Sequence, residues 1–133
     1  MYLLDTNICI FAINRRPQKT LEIIQEKSKN GIFISSLTIA ELEYGVAYSD
    51  FPERNRISLS KFLSIFNILD FDDEDAVEYG KMKASLRRQG KLFGPIDMLL
   101  AAQALSKRLI FVTNNTKEFN VIDGLSLEDW KGN

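Results

Sequence analysis

The segments that read as β-strands are YLL (2–4), GIFIS (31–35), NILDF (67–71), LIFVT (109–113) and a short stretch near Leu125 to Leu127. Each is parted from the next by a longer segment, mostly of helical periodicity, and never by a two-residue hairpin turn. Antiparallel neighbours can be joined by tight turns, whereas parallel neighbours need a crossover. The pattern therefore predicts an α/β fold, a three-layer α/β/α sandwich around a parallel sheet of four to five strands. Helices are expected from Thr6 to a break at Asn14 to Pro17, from Lys19 to about Lys29, and from the serines after GIFIS to about Tyr48. Others should run from Pro52 to about Phe66, through DDEDAVEYGKMKASLRRQG, and from Pro95 to about Lys107.

A chain of 133 residues with 45% hydrophobic content can bury one good core and not two, so residues 1–133 are expected to be a single domain. The lone cysteine, Cys9, lies in the apolar run ICIFAI, reads as a buried hydrophobe, and leaves no internal disulfide. No apolar run reaches the roughly 20 residues of a membrane helix, and the start lacks a basic leader pattern. A cytoplasmic protein is expected. The net charge of −1 is not that of a generally basic nucleic-acid-binding surface. One run is locally basic, with Lys81, Lys83, Arg87, Arg88 and Lys91 leading toward Gly94-Pro95. It reads either as a solvated helix face or as a phosphate track.

The chain has no histidine, which removes Ser-His-Asp and Cys-His systems and histidine zinc sites. Proton and metal chemistry falls to carboxylates. Four sit at separate junctions, Asp5 in LLDTN, Glu41 in SSLTIAELEYG, Asp97 in GPIDMLLAAQAL and Glu118 in VTNNTKEF. Carboxylates gathered from distant segments suit a hard cation, Mg²⁺ or Mn²⁺. Asp5 and the stretch from Thr113 to Glu118 fall at carboxyl ends of strands, where open parallel sheets bind ligands. Each acid also has a plainer use. Asp5 can cap the helix that follows it. Glu41 can complete a capping box with Thr38, and Glu43 competes for its site role. Asp97 can favour a helix N-terminus, although it is the only charge between Lys91 and Lys107 in an otherwise apolar helix. Glu118 can be a surface residue of a polar loop.

Taken in order, LDTNICIF, ISSLTIAELEYG, PERN, GPIDMLLAAQALSKRLIFVTNNTKEF and GLSLEDW resemble the PIN-domain ribonucleases, and among them the VapC-type toxins of bacterial toxin–antitoxin pairs. The likeness covers almost the whole chain, and it is greatest to the branch that cleaves initiator tRNA in the anticodon stem-loop. The resemblance implies Asp5, Glu41 and Asp97 as core metal-binding acids and Glu118 as a fourth, outer one. It departs from the family pattern at Asn115, where many members carry an aspartate. Thr6, Asn7, Thr113, Asn114 and Asn115 would orient the acids or their waters. It further implies hydrolysis that leaves 5′-phosphate and 3′-hydroxyl ends, a VapB-type antitoxin partner and a homodimer. Tyr44, Tyr48 and Phe51 are candidates for that contact, with a core role as the alternative.

Two other classes fit parts of the sequence. One is a nuclease acting on another RNA or on DNA, or a non-catalytic RNA-binding domain of the same fold. The other is a receiver-like Mg²⁺-binding signalling module, which length, fold class and Thr113 allow. That module would need an adjacent acidic pair at the end of the first strand and a lysine closing the last, and neither is present.

Overall fold

The computed structural model describes residues 1–131. In chain order the elements are β1 (Tyr2–Leu4), α1 (Thr6–Asn14), α2 (Gln18–Lys27) with a 3₁₀ turn (Ser28–Asn30), β2 (Ile32–Ser35), α3 (Ser36–Tyr48) and α4 (Pro52–Leu63). There follow β3 (Asn67–Leu69), α5 (Asp73–Arg88), α6 (Pro95–Ser106), β4 (Ile110–Val112), α7 (Thr116–Phe119) and β5 (Leu127–Glu128). All strand pairs are parallel, in the order β3-β2-β1-β4-β5. That order excludes the receiver-like module, whose sheet runs 2-1-3-4-5.

Alternation along the strands builds the two outer layers. Tyr2, Leu4, Ile32, Ile34 and Val112 face a core completed by α1 to α4 and Trp130, whose ring meets Tyr2 edge-on at 4.8 Å. Leu3 and Phe111 face the opposite core, filled by Met82 and Leu86 of α5, the Met98 to Ala104 stretch of α6, and Phe119. Cys9 is fully buried, and burial pushes its thiol pKa far up, so it behaves as the small hydrophobe expected. No helix among the described residues is long and apolar enough to cross a membrane.

One alternative falls away and one local expectation is corrected. Thr38 does not cap α3, so Glu41 is not part of a capping box. Ser35, extended at φ −69° and ψ 146°, ends β2 and accepts from the Leu37 N–H at 3.0 Å, so α3 begins at the serines, as expected. Glu41 thereby moves to the helix interior, free of any capping duty. A capping box forms instead on α5, where Asp72 accepts from the Asp75 N–H and Asp75 accepts from the Asp72 N–H. Glu118, expected in a loop, stands on the one-turn helix α7. Ser35 is fully buried, so Ser35→Ala leaves an orphan N–H at the head of α3 and is expected to cost about 1 kcal/mol in urea unfolding.

Candidate active site

Strand order reverses at β1. The chain moves outward to β2 and β3 on one side and places β4 on the other, so a crevice opens beyond the carboxyl ends of β1 and β4. Asp5 closes that crevice from below. Its N–H donates to the Val112 carbonyl at 2.9 Å, extending the β1–β4 ladder by one bond. One carboxylate oxygen accepts from the Thr6 N–H at 2.8 Å, capping α1, and the other accepts from the Thr113 hydroxyl at 2.8 Å. Capping and site placement, set apart as alternatives in the sequence, are one arrangement. The Thr113 hydroxyl in turn accepts from the Asn115 N–H at 3.1 Å, so the turn after β4 is built around the same carboxylate.

The other acids arrive from three helices. The Thr6 hydroxyl donates to Glu41 Oε1 at 2.5 Å and lies 3.2 Å from the buried Thr38 hydroxyl, which ties α3 to the head of α1. Asp97 sits in the first turn of α6, whose N-terminus reaches this edge because its C-terminus feeds the start of β4. Asp5, Thr6, Asn7, Glu41, Tyr44 and Asp97 line one open cavity of about 650 Å³. Glu118 stands outside it and accepts from Asn115 Nδ2 at 2.9 Å. Asn114 Oδ1 is buried without a hydrogen-bond partner among the described residues.

Electrostatics identify the strained members. The Asp5 pKa rises from 3.8 to about 6, chiefly through burial and further through the Asp97 and Glu41 charges, against the opposing Thr113 and Thr6 hydrogen bonds. The Asp97 pKa is also raised, first by burial and then by the charges of Glu118 and Glu41. As placed, no three acidic or cysteine side chains among the described residues stand close enough to hold one metal ion. Glu41 and Glu118 are instead engaged with Thr6 and Asn115. The donor set nonetheless fits a hard cation, since it consists of carboxylates and hydroxyls whose mutual repulsion a positive charge would relieve.

Of the basic run, Lys81, Arg87, Arg88 and Lys91 are exposed, while Lys83 is half-buried with its ammonium 5.5 Å from the Tyr79 ring centroid. None makes an ion pair among the described residues. Tyr44, Tyr48 and Phe51 are exposed, which removes a core role for them. Sequence reasoning missed Thr38 as a site hydroxyl, because it was read as a cap. It also missed Gly94, where an added Cβ would stand 3.3 Å from Asp97 Oδ2, a crowding visible only once the helix start is built.

A five-stranded parallel sheet with an acidic crevice at its switch point, reached by β1, α3 and α6, defines the PIN class, and the PIN domain pattern matches residues 2–125. The chain belongs to the PIN domain family. It is 43% identical over 129 residues to the tRNA(fMet)-specific endonuclease VapC of Shigella flexneri, with 97% of each chain covered. It is 45% identical over 131 residues to a ribonuclease named VapC2 from Haemophilus influenzae, again with 97% of each covered. Among solved structures it matches VapBC2 of Rickettsia felis bound to a promoter DNA fragment, at 40% identity and TM-score 0.92, covering 97% of this chain and 98% of that one.

Proposed function

We propose that this chain is the toxin of a toxin–antitoxin pair, a cytoplasmic metal-dependent endoribonuclease whose substrate is initiator tRNA, cut in the anticodon stem-loop. The observation that carries the chemistry is the placing of Asp5 and Asp97 in one cavity with both pKa values raised. The substrate rests on the likeness to relatives named for tRNA(fMet) cleavage.

Asp5, Asp97 and Glu41 would hold Mg²⁺ or Mn²⁺, with Glu118 as an outer acid. When bound, the cation supplies Lewis acidity toward a phosphodiester and makes a water more acidic. The chain's own part is orientation. Thr113 and the Thr6 N–H fix both oxygens of Asp5, the Thr6 hydroxyl fixes Glu41, and Asn115 fixes Glu118. Asn7 lines the cavity, and the Asn114 Oδ1 acceptor has no partner among the described residues. Water as nucleophile fits a chain without histidine and leaves 5′-phosphate and 3′-hydroxyl ends. Arg87, Arg88 and Lys91, at the end of α5 and in the loop leading to Asp97 and without an ion pair among the described residues, would bind substrate phosphates, with Lys81 and Lys83 farther back.

The partner is a VapB-type antitoxin, as in the similar complexes. An apolar groove lined by Ile10, Ile13, Leu42, Val46 and Leu59 shares Ile10 and Leu42 with the acidic cavity. A partner segment could therefore bury apolar side chains in the groove and deliver a cation to the acids.

Incubation of the partner-free protein with total tRNA, total RNA and single-stranded DNA, with Mg²⁺ or Mn²⁺ and then chelator, tests this. Cuts confined to one tRNA site, abolished by chelator and bearing 5′-phosphates, are expected. Cyclic phosphate ends would sink the mechanism, and cuts in DNA alone would move the substrate. Gly94→Ala is expected to cut activity up to about 10-fold with the melting temperature unchanged. The backbone there (φ −50°, ψ 137°) accepts alanine, while the new methyl group shifts the Asp97 carboxylate by a few tenths of an ångström.

A further inference from the structure

Two stacked tyrosine rings stand in solvent on α3, the first of them at the acidic cavity. Tyr44 and Tyr48 lie on successive turns of α3, 69% and 80% exposed, with ring centroids 5.8 Å apart and planes 11° from parallel. Tyr44 lines the cavity that contains Asp5, Glu41 and Asp97. It follows Glu41 by three residues, so the two are neighbours on one helix face with Cβ atoms about 5–6 Å apart. Open space surrounds the position a Gly45 side chain would take, so that flank of the helix is unobstructed. Phe51 is different, because the Arg54 guanidinium covers its face at 4.4 Å. Neither Tyr44 nor Tyr48 is covered by a cation among the described residues.

A single exposed ring needs no explanation. Two parallel rings, one of them a wall of the cavity, form a flat π surface next to where a phosphodiester must sit. A nucleobase is the partner this chemistry suits. It is neutral and so not repelled by the surrounding carboxylates, it stacks without regard to sequence, and it must be unpaired to do so. We propose that Tyr44, backed by Tyr48, stacks on the unpaired base beside the scissile phosphate and so confines cutting to single-stranded loops. This rests on the nuclease function proposed above.

Cleavage of total tRNA by Tyr44→Ala, Tyr44→Phe and Tyr48→Ala tests it. Binding of a short single-stranded RNA carrying 2-aminopurine, in the Asp97→Asn background, gives a readout apart from catalysis. Tyr44→Ala is expected to lose roughly 5- to 150-fold in kcat/KM, and Tyr48→Ala less. Tyr44→Phe should recover most of that loss, because the ring and not the hydroxyl stacks. Quenching of 2-aminopurine fluorescence should disappear with Tyr44→Ala and persist with Tyr44→Phe. Wild-type rates and cut sites in Tyr44→Ala would overturn the proposal and leave the nuclease intact. So would conversion of a wild-type dimer to monomer by Tyr44→Ala, which would assign the rings to contact between copies. A wild-type protein that cuts no nucleic acid would remove both.

Discussion

Asp97→Asn is expected to lower RNA cleavage by on the order of 10³-fold while leaving the fold intact, the loss seen when one group of a preorganised electrostatic site is removed. The substitution keeps the size of the side chain and takes away the charge. Asp97 is half-buried in the first turn of α6, and the core contacts of that helix are made by Met98, Leu100 and the alanines beyond it. Its carboxyl is already disfavoured as an anion by burial and by the Glu118 and Glu41 charges, so neutralising it costs the fold nothing. Activity and melting temperature should therefore part company. The measurement is the rate of tRNA cleavage beside a thermal melt of the same sample. Cleavage at the wild-type rate, or a loss of activity matched by loss of cooperative unfolding, would reassign Asp97 to the scaffold. Glu118→Gln belongs in the same experiment, because Glu118 stands outside the cavity on α7 and should cost less.

The sheet was legible because its strands are short, apolar and separated by crossovers, and Asp5 and Asp97 stand out because they interrupt apolar stretches. Asp97 is the clearest case, a lone charge heading a helix whose remaining residues belong in a core. Helix starts were harder wherever two hydroxyls compete. Both Ser35 and Thr38 satisfy the capping pattern around α3, and the choice depends on where β2 stops pairing, which is a tertiary fact. The turn TKEF is too short for periodicity to register. Asp5 shows a different limit, since one carboxylate caps α1, anchors the turn after β4 through Thr113 and lines the cavity. Local patterns offer such roles as alternatives, and only the three-dimensional arrangement shows that they coincide.

That concentration of duties gives Asp5→Asn an opposite signature in stability and function. In the metal-free protein the folded-state pKa of Asp5 is about 6 against an ordinary 3.8, so the ionised form is penalised by folding. The unfolded chain releases this proton first, and stability is lost as pH rises from about 4 through about 6, then levels off. The full difference corresponds to about 3 kcal/mol. Asparagine keeps an acceptor for the Thr6 N–H but must meet the Thr113 hydroxyl with an N–H, which takes back part of that gain. A rise of roughly 5 °C in melting temperature at pH 7.5 in chelator is the expected net result, together with loss of cleavage. Asp72 does not confuse the reading. Its carboxyl is held low, chiefly by the Lys107 hydrogen bond, so its contribution disappears as pH falls, on the other side of 3.8. Millimolar Mn²⁺ should then raise the wild-type melt, because a cation bound only by the folded state offsets the same repulsion, and should leave Asp5→Asn where it was. If chelator-treated Asp5→Asn instead melts below wild type at pH 7.5, the cap and the Thr113 bond outweigh the buried charge, and Asp5 is first a structural residue. If Mn²⁺ raises both melts equally, the cation binds elsewhere and the cavity is not its site.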